Sequence, residues 1–150
     1  MDWGEAGMRW TVRLALLAAA ARFACRPGSA NARKFWTAGW LLMVVHIAAA
    51  FAVRHHWSHA EAARHVEERT LAEVGVASSV GIWLNYLFVL LWTADVVRPL
   101  SPRVQTWWLS FWWFMSVNAA IVFERGPTRW VGVAVAAALA ALAFRRRRAA

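Results

Sequence analysis

The stretch FWTAGWLLMVVHIAAAFAV, residues 35–53, decides the class of this protein. It holds no charged residue, and a helix of about 20 mostly apolar residues is what crosses a bilayer. Charge frames it, with Arg33 and Lys34 before and Arg54 after. Three further apolar stretches follow the same rule, at 78–97, 106–123 and 130–144. Arg98 and Arg103 separate the second from the third, and Glu124, Arg125 and Arg129 separate the third from the fourth. Pro99, Pro102 and Gly126–Pro127 mark tight loops, so neighbouring helices run antiparallel. The fold expected is all-α: an integral membrane four-helix bundle forming one domain, 1–150.

Composition agrees. Of 150 residues 61% are hydrophobic, against about half in an ordinary soluble domain, and twelve are Trp. The single cysteine, Cys25, excludes a disulfide scaffold and any dithiol chemistry. The net charge of +9 suggests nucleic acid until it is located. With the N-terminus in the cytoplasm, the segment 1–35, the Arg98/Arg103 loop and the basic tail 145–150 all face inward. The outer segments then balance to zero, as the positive-inside rule asks. The expected location is an inner (cytoplasmic) membrane with both termini cytoplasmic. The expected partners are the lipid bilayer and a membrane protein, with no nucleic acid.

The segment 8–25 reads as an amphipathic helix on the inner surface. Trp10, Leu14, Leu17 and Ala21 recur at helical spacing, with Arg9, Arg13 and Arg22 off that stripe. Arg13 and Arg22 leave only eight uninterrupted apolar residues between them, which disfavours a fifth span. A signal peptide ending at Ala30-Asn31-Ala32 would turn Arg33, Lys34 and the Arg145–Arg148 tail outward, against the charge rule.

All five histidines fall between His46 and His65. His46 lies inside the first span; His55, His56, His59 and His65 follow on the outer face. Ser58-His59-Ala60-Glu61 matches a capping box and opens a short outer helix, 58–73. Counted at about 1.5 Å per residue, His46, Asn85 and Asn118 sit at one depth, roughly 9–12 Å below the outer surface. Lipid cannot satisfy them, so they are expected to converge, with Tyr86 and Ser116 nearby and His56 and His59 above. Asp95 is expected to pair with Arg98 three residues on.

Three functions compete. In the first, His46, His56 and His59 hold copper, zinc, iron or a b-type haem, with Asn85, Tyr86 and Asn118 lining the site, since imidazole suits these metals. Against it, the strict H-E-x-x-H spacing is absent. In the second, the chain is a non-catalytic accessory or assembly subunit of a larger membrane complex, docking through small residues such as Ala48–Ala50 and Ala134–Ala138. In the third, His59 is the base of an outer-face enzyme; no nucleophilic serine elbow, phosphate loop or paired carboxylate supports it. The aromatic run 107–114 rings its helix on all sides and suits either packing or a flat cofactor.

Overall fold

A computed structural model describes residues 3–123 and 127–148. Those residues are helical almost throughout, with no strand among them. The helices are α1 (Trp3–Ala24), α2 (Ala30–Val53), α3 (His59–Val74), α4 (Val80–Val97), α5 (Pro102–Val117) and α6 (Pro127–Arg148). Two of them, α2 and α4, are long and apolar enough to cross a membrane. The expected loop residues 124–126 and the end of the basic tail, 149–150, lie outside the described residues.

The start and stop signals work as the sequence asks. Ser29 caps α2 by accepting from the Ala32 N–H at 3.2 Å. Ser58 caps α3 by accepting from the Glu61 N–H at 3.3 Å. Gly75 closes α3 at φ +79°, where a side chain would be strained, and its N–H bonds the Leu71 carbonyl. Between α2 and α3 the chain turns sharply, with His56 and Trp57 both at positive φ (45° and 60°).

The first helix differs most from expectation. Helix α1 is longer than 8–25 suggested, and its interface with α2 is the most extensive in the chain. The two run antiparallel along their length. Glu5 meets Arg54 at one end, Gly39 lies on Ala15 and Ala19 in the middle, and Arg22 covers the Trp36 ring at the other end. A Cβ on Gly39 would stand 2.9 Å from the Ala15 carbonyl oxygen and 3.0 Å from the Ala19 Cβ, so glycine is what lets the backbones approach. The buried face of α1 is Met8, Ala15, Ala19 and Ala20. The Trp10–Leu14–Leu17 stripe, expected to rest on the membrane surface, lies off the α2 interface, with Trp10 58% exposed. Small residues, not the bulky ones, make the interface, because they permit close backbone contact. The start of α1 therefore lies at the α3 end of the bundle, not at the opposite end where the sequence reading put it.

Aromatic packing ties α2, α4 and α5 together. Trp36 lies 4.8 Å from Trp92 and 5.6 Å from Trp112 between ring centroids, and Phe88 packs 5.6 Å from Trp108. Phe23 brings α1 to the same cluster, 5.7 Å from Trp112. Such pairs add about 0.5–1.5 kcal/mol each beyond their burial. Asp95 anchors the cluster's edge. Its Oδ2 accepts from Trp36 Nε1 at 2.9 Å and stands 3.9 Å from Arg22, while Oδ1 accepts from the Leu100 N–H at 3.4 Å. The expected Asp95–Arg98 pair gives way to this three-helix junction.

At the end of α5 the helix widens. Asn118–Val122 is π-helical, with the Phe123 N–H bonding the Asn118 carbonyl five residues back at 2.9 Å. Arg129 donates to the Ile121 carbonyl at 2.6 Å, and Arg69 reaches the Phe123 carbonyl. These two guanidiniums satisfy acceptors that a helix end leaves open.

Candidate functional site

The residues expected to converge do not. His46 turns toward α1, where its Nδ1–H donates to the Met8 carbonyl at 2.9 Å and Thr11 Oγ1 stands 3.4 Å away. Asn85 is exposed on α4, and Asn118 donates to the Phe114 carbonyl of its own helix at 2.8 Å. The reason is α1: it fills the groove beside His46 that the sequence reading left open to α4 and α5.

The proposed metal ligands are likewise separate. His56 is exposed in the turn, 3.4 Å from Glu61, and His59 bonds the Tyr86 hydroxyl at 2.8 Å with its ring 5.5 Å from Trp83. Among the described residues no group of three His, Cys, Asp or Glu side chains could hold a metal ion. His46, His56 and His59 thus form no ligand set. With His46 engaged by α1, they also offer no opposed pair for a haem. The structure does bring His59 and Tyr86 together, as a pin between α3 and α4.

The histidines that meet are His55 and His65, with ring centroids 5.4 Å apart. They sit on a clasp in which Arg54 grips both Glu5 oxygens at 2.7 Å and lies 3.5 Å from His65 Nε2. Burial lowers the pKa of His55, with His65 and Arg54 adding to the effect. Burial also lowers that of His65, reinforced by Arg54 and Arg69. The clasp fastens α3 and the start of α1 to the end of α2.

A concave site lies elsewhere. A cavity of about 320 Å³ opens between α1, α5 with its π-helical end, and α6. This is within the range of roughly 300–1,000 Å³ typical of small-molecule pockets. Its walls are apolar, from Leu16 and Leu17 on α1, Val117 and Ile121 on the α5 side, and Val135 and Leu139 on α6. Arg13, Ser116 and the indoles of Trp10, Trp112 and Trp113 interrupt them. Ser116 is 8% exposed and Trp112 2%, and neither Ser116 Oγ nor Trp112 Nε1 has a hydrogen-bond partner. A buried donor without a partner costs about 1–3 kcal/mol; Trp92 Nε1 and Trp108 Nε1, away from the cavity, share this state with Trp112 Nε1, so of the two only Ser116 Oγ sets this wall apart from the aromatic cluster. Gly132 sets the wall's width. A Cβ on it would come 2.6 Å from the Ala120 carbonyl oxygen, so α6 lies directly on the π-helical turn. π-Helical turns recur at functional sites because they re-aim the residues around them.

Sequence reasoning named Ser116 as an outlying member of a different site and placed Arg13 on the polar side of a surface helix. The signal that could have found this site was an arginine halfway along a helix rich in small apolar residues. The chain matches no protein-family model, no curated protein and no solved structure.

Proposed function

We propose that the chain is a multi-span integral membrane protein whose cavity between α1, α5 and α6 binds an apolar-tailed small molecule drawn from the lipid phase. Helix α1 lies lengthwise on α2, so where α2 crosses a bilayer α1 crosses with it. The reading is then of five crossing helices, α1, α2, α4, α5 and α6, with α3 as an extramembrane cap. The charge distribution supports an orientation with α3 and the start of α1 outside. By sequence the segments at the opposite end carry Arg22, Arg26, Arg33, Lys34, Arg98, Arg103 and Arg145–Arg148 against the single carboxylate of Asp95.

The observation that carries the binding role is the cavity itself, about 320 Å³ with a largely apolar lining, on which Ser116 Oγ is buried without a hydrogen-bond partner beside the Trp112 indole. A ligand acceptor would satisfy that hydroxyl, and the apolar remainder would house a tail. The test is organic extraction of protein purified in native-lipid particles, with mass spectrometry of what is released. One species should be enriched over bulk lipid and lost in Ala136→Phe, which fills the cavity, while Ser116→Ala reduces it without lowering the melting temperature. An extract identical to bulk lipid overturns the reading.

A second reading, an accessory subunit, is favoured by Asn85, which is exposed on an apolar helix with no hydrogen bond among the described residues. A polar group so placed drives helix association in membranes. Co-purification of a stoichiometric partner, lost in Asn85→Leu, would support it.

A further inference from the structure

The turn between α1 and α2 and the turn between α4 and α5 meet at one end of the bundle. Arg33 and Asp95 draw them together. Arg33 Nη2 donates to the Val96 carbonyl at 2.9 Å, and Asp95 stands 3.9 Å from Arg22 and accepts from the Leu100 N–H at 3.4 Å. Arg26, Arg33, Lys34, Arg98 and Arg103 lie on these two turns and on the helix starts they lead into, and all of them are exposed. None pairs with a carboxylate among the described residues. The one carboxylate in residues 22–36 and 93–107 is Asp95, which is buried and engaged by Trp36, Arg22 and Leu100. Positive charge gathered without counter-charge repels itself and is relieved by a bound anion. Beside the cations of the second turn, apolar side chains face outward: Val97, Val104 and Trp107, the last 80% exposed. Tryptophan next to arginine marks the headgroup level of a bilayer, so an anion that meets this seam carries acyl chains.

From this we propose that the seam binds a phospholipid whose headgroup carries two phosphates, one held by the α1–α2 side and one by the α4–α5 side. Basic pockets between crossing helices take heads of this kind. A guanidinium matches a phosphate oxyanion with paired N–H donors, and each side supplies guanidiniums. A head with one phosphate answers one turn and leaves the other. Two phosphates on one molecule gain from their linkage, because the second meets its seat at high effective concentration. The proposal rests on the multi-span reading above, not on the cavity, and adds a lipid partner at the basic end.

The test is native mass spectrometry of the full chain in mild detergent, titrated with lipids of the same acyl chain. They are cardiolipin with its two phosphates, phosphatidylglycerol with one, and zwitterionic phosphatidylcholine. Cardiolipin should be retained at roughly a tenth of the phosphate concentration that phosphatidylglycerol needs, equivalent to about 1.4 kcal/mol, and phosphatidylcholine should dissociate. The deacylated cardiolipin headgroup should compete only at far higher concentration, which separates a lipid from a free phosphodiester. Arg26→Gln with Lys34→Gln on one side, and Arg98→Gln with Arg103→Gln on the other, should each remove most of cardiolipin's advantage. Arg33 is kept, because it also holds the Val96 carbonyl. Arg9→Gln with Arg64→Gln takes the same charge from the α3 end and should leave the advantage unchanged. Because the comparison of lipids is made on the wild-type chain, it stands even where a variant folds poorly. Equal retention of cardiolipin and phosphatidylglycerol per phosphate, an equal effect of the distant pair, or competition by the bare headgroup at the lipid's own concentration overturns the proposal and leaves the multi-span reading intact. Recovery of the chain from the aqueous fraction of lysed cells overturns both.

Discussion

Single side chains in this protein are chosen for what they hold together more than for what they expose. Asp95 is the clearest case. It is buried, and it joins α2 through Trp36, α1 through Arg22 and the α4–α5 turn through Leu100. Removing one partner of a buried ion pair costs about 3–5 kcal/mol because the other charge stays behind. Arg22 is partly solvated, so Asp95→Ala should cost about 3 kcal/mol. The expected readout is a lower thermal unfolding midpoint in detergent, with Asp95→Asn milder because it keeps an acceptor for Trp36. An unchanged midpoint would show that the junction carries no stability. The sequence made Asp95 visible as an ionisable residue in an apolar helix, but not its partners. Spacing along one helix suggested Arg98, whereas the residues that reach it come from two others. His46 taught the same lesson: its depth could be counted, but the direction of its ring depended on which helix lay beside it.

At the scale of helices, periodicity and caps were legible and faces were not. The Ser58 cap, the α3 boundary and the antiparallel order follow from local rules. The burial of Ala15 and Ala19 does not, because in an apolar helix bulky and small residues are equally at home in lipid. Only a close-approach interface, seen at Gly39, tells which face packs. The π-helical end of α5 is equally silent in sequence, since it depends on Arg69 and Arg129 arriving from elsewhere to satisfy its carbonyls. Helix α3 yields a prediction of its own. His55 and His65 lie against each other and against Arg54, with Arg69 and His56 adding positive charge and Glu5, Glu61 and Glu68 opposing it. Both pKa values are lowered, so the folded clasp binds fewer protons than the unfolded chain between those depressed values and the ordinary value of about 6.5. The docking energy is complete above about pH 6.5 and is lost as the pH falls through that window. Amide exchange across residues 59–74, corrected for intrinsic rates, should be faster at about pH 5 than at about pH 7.5. His65→Gln should flatten the difference. Exchange that is indifferent to pH would show that the two imidazoles do not govern the docking of α3.

At the scale of the whole molecule the described helices meet at an aromatic junction, and the function we propose turns on where α1 lies. A helix on the membrane surface would leave the α5–α6 face without its third wall. A helix crossing beside α2 completes the cavity and brings Arg13 into it. Composition pointed to the membrane class, and the charge count is the basis of the orientation we propose. Neither points to the fifth crossing that we propose, because the arginines of α1 break its apolar run. The most direct measurement is labelling with a membrane-impermeant maleimide in intact cells and after lysis. Three single-cysteine forms suffice: the native chain with Cys25 between α1 and α2, and Trp3→Cys and Ala60→Cys in a Cys25→Ser background. Trp3→Cys and Ala60→Cys should both react in intact cells, while Cys25 reacts only after lysis. If Ala60→Cys reacts in intact cells but Trp3→Cys waits for lysis, α1 does not cross beside α2 and the three-walled cavity is not what the membrane contains.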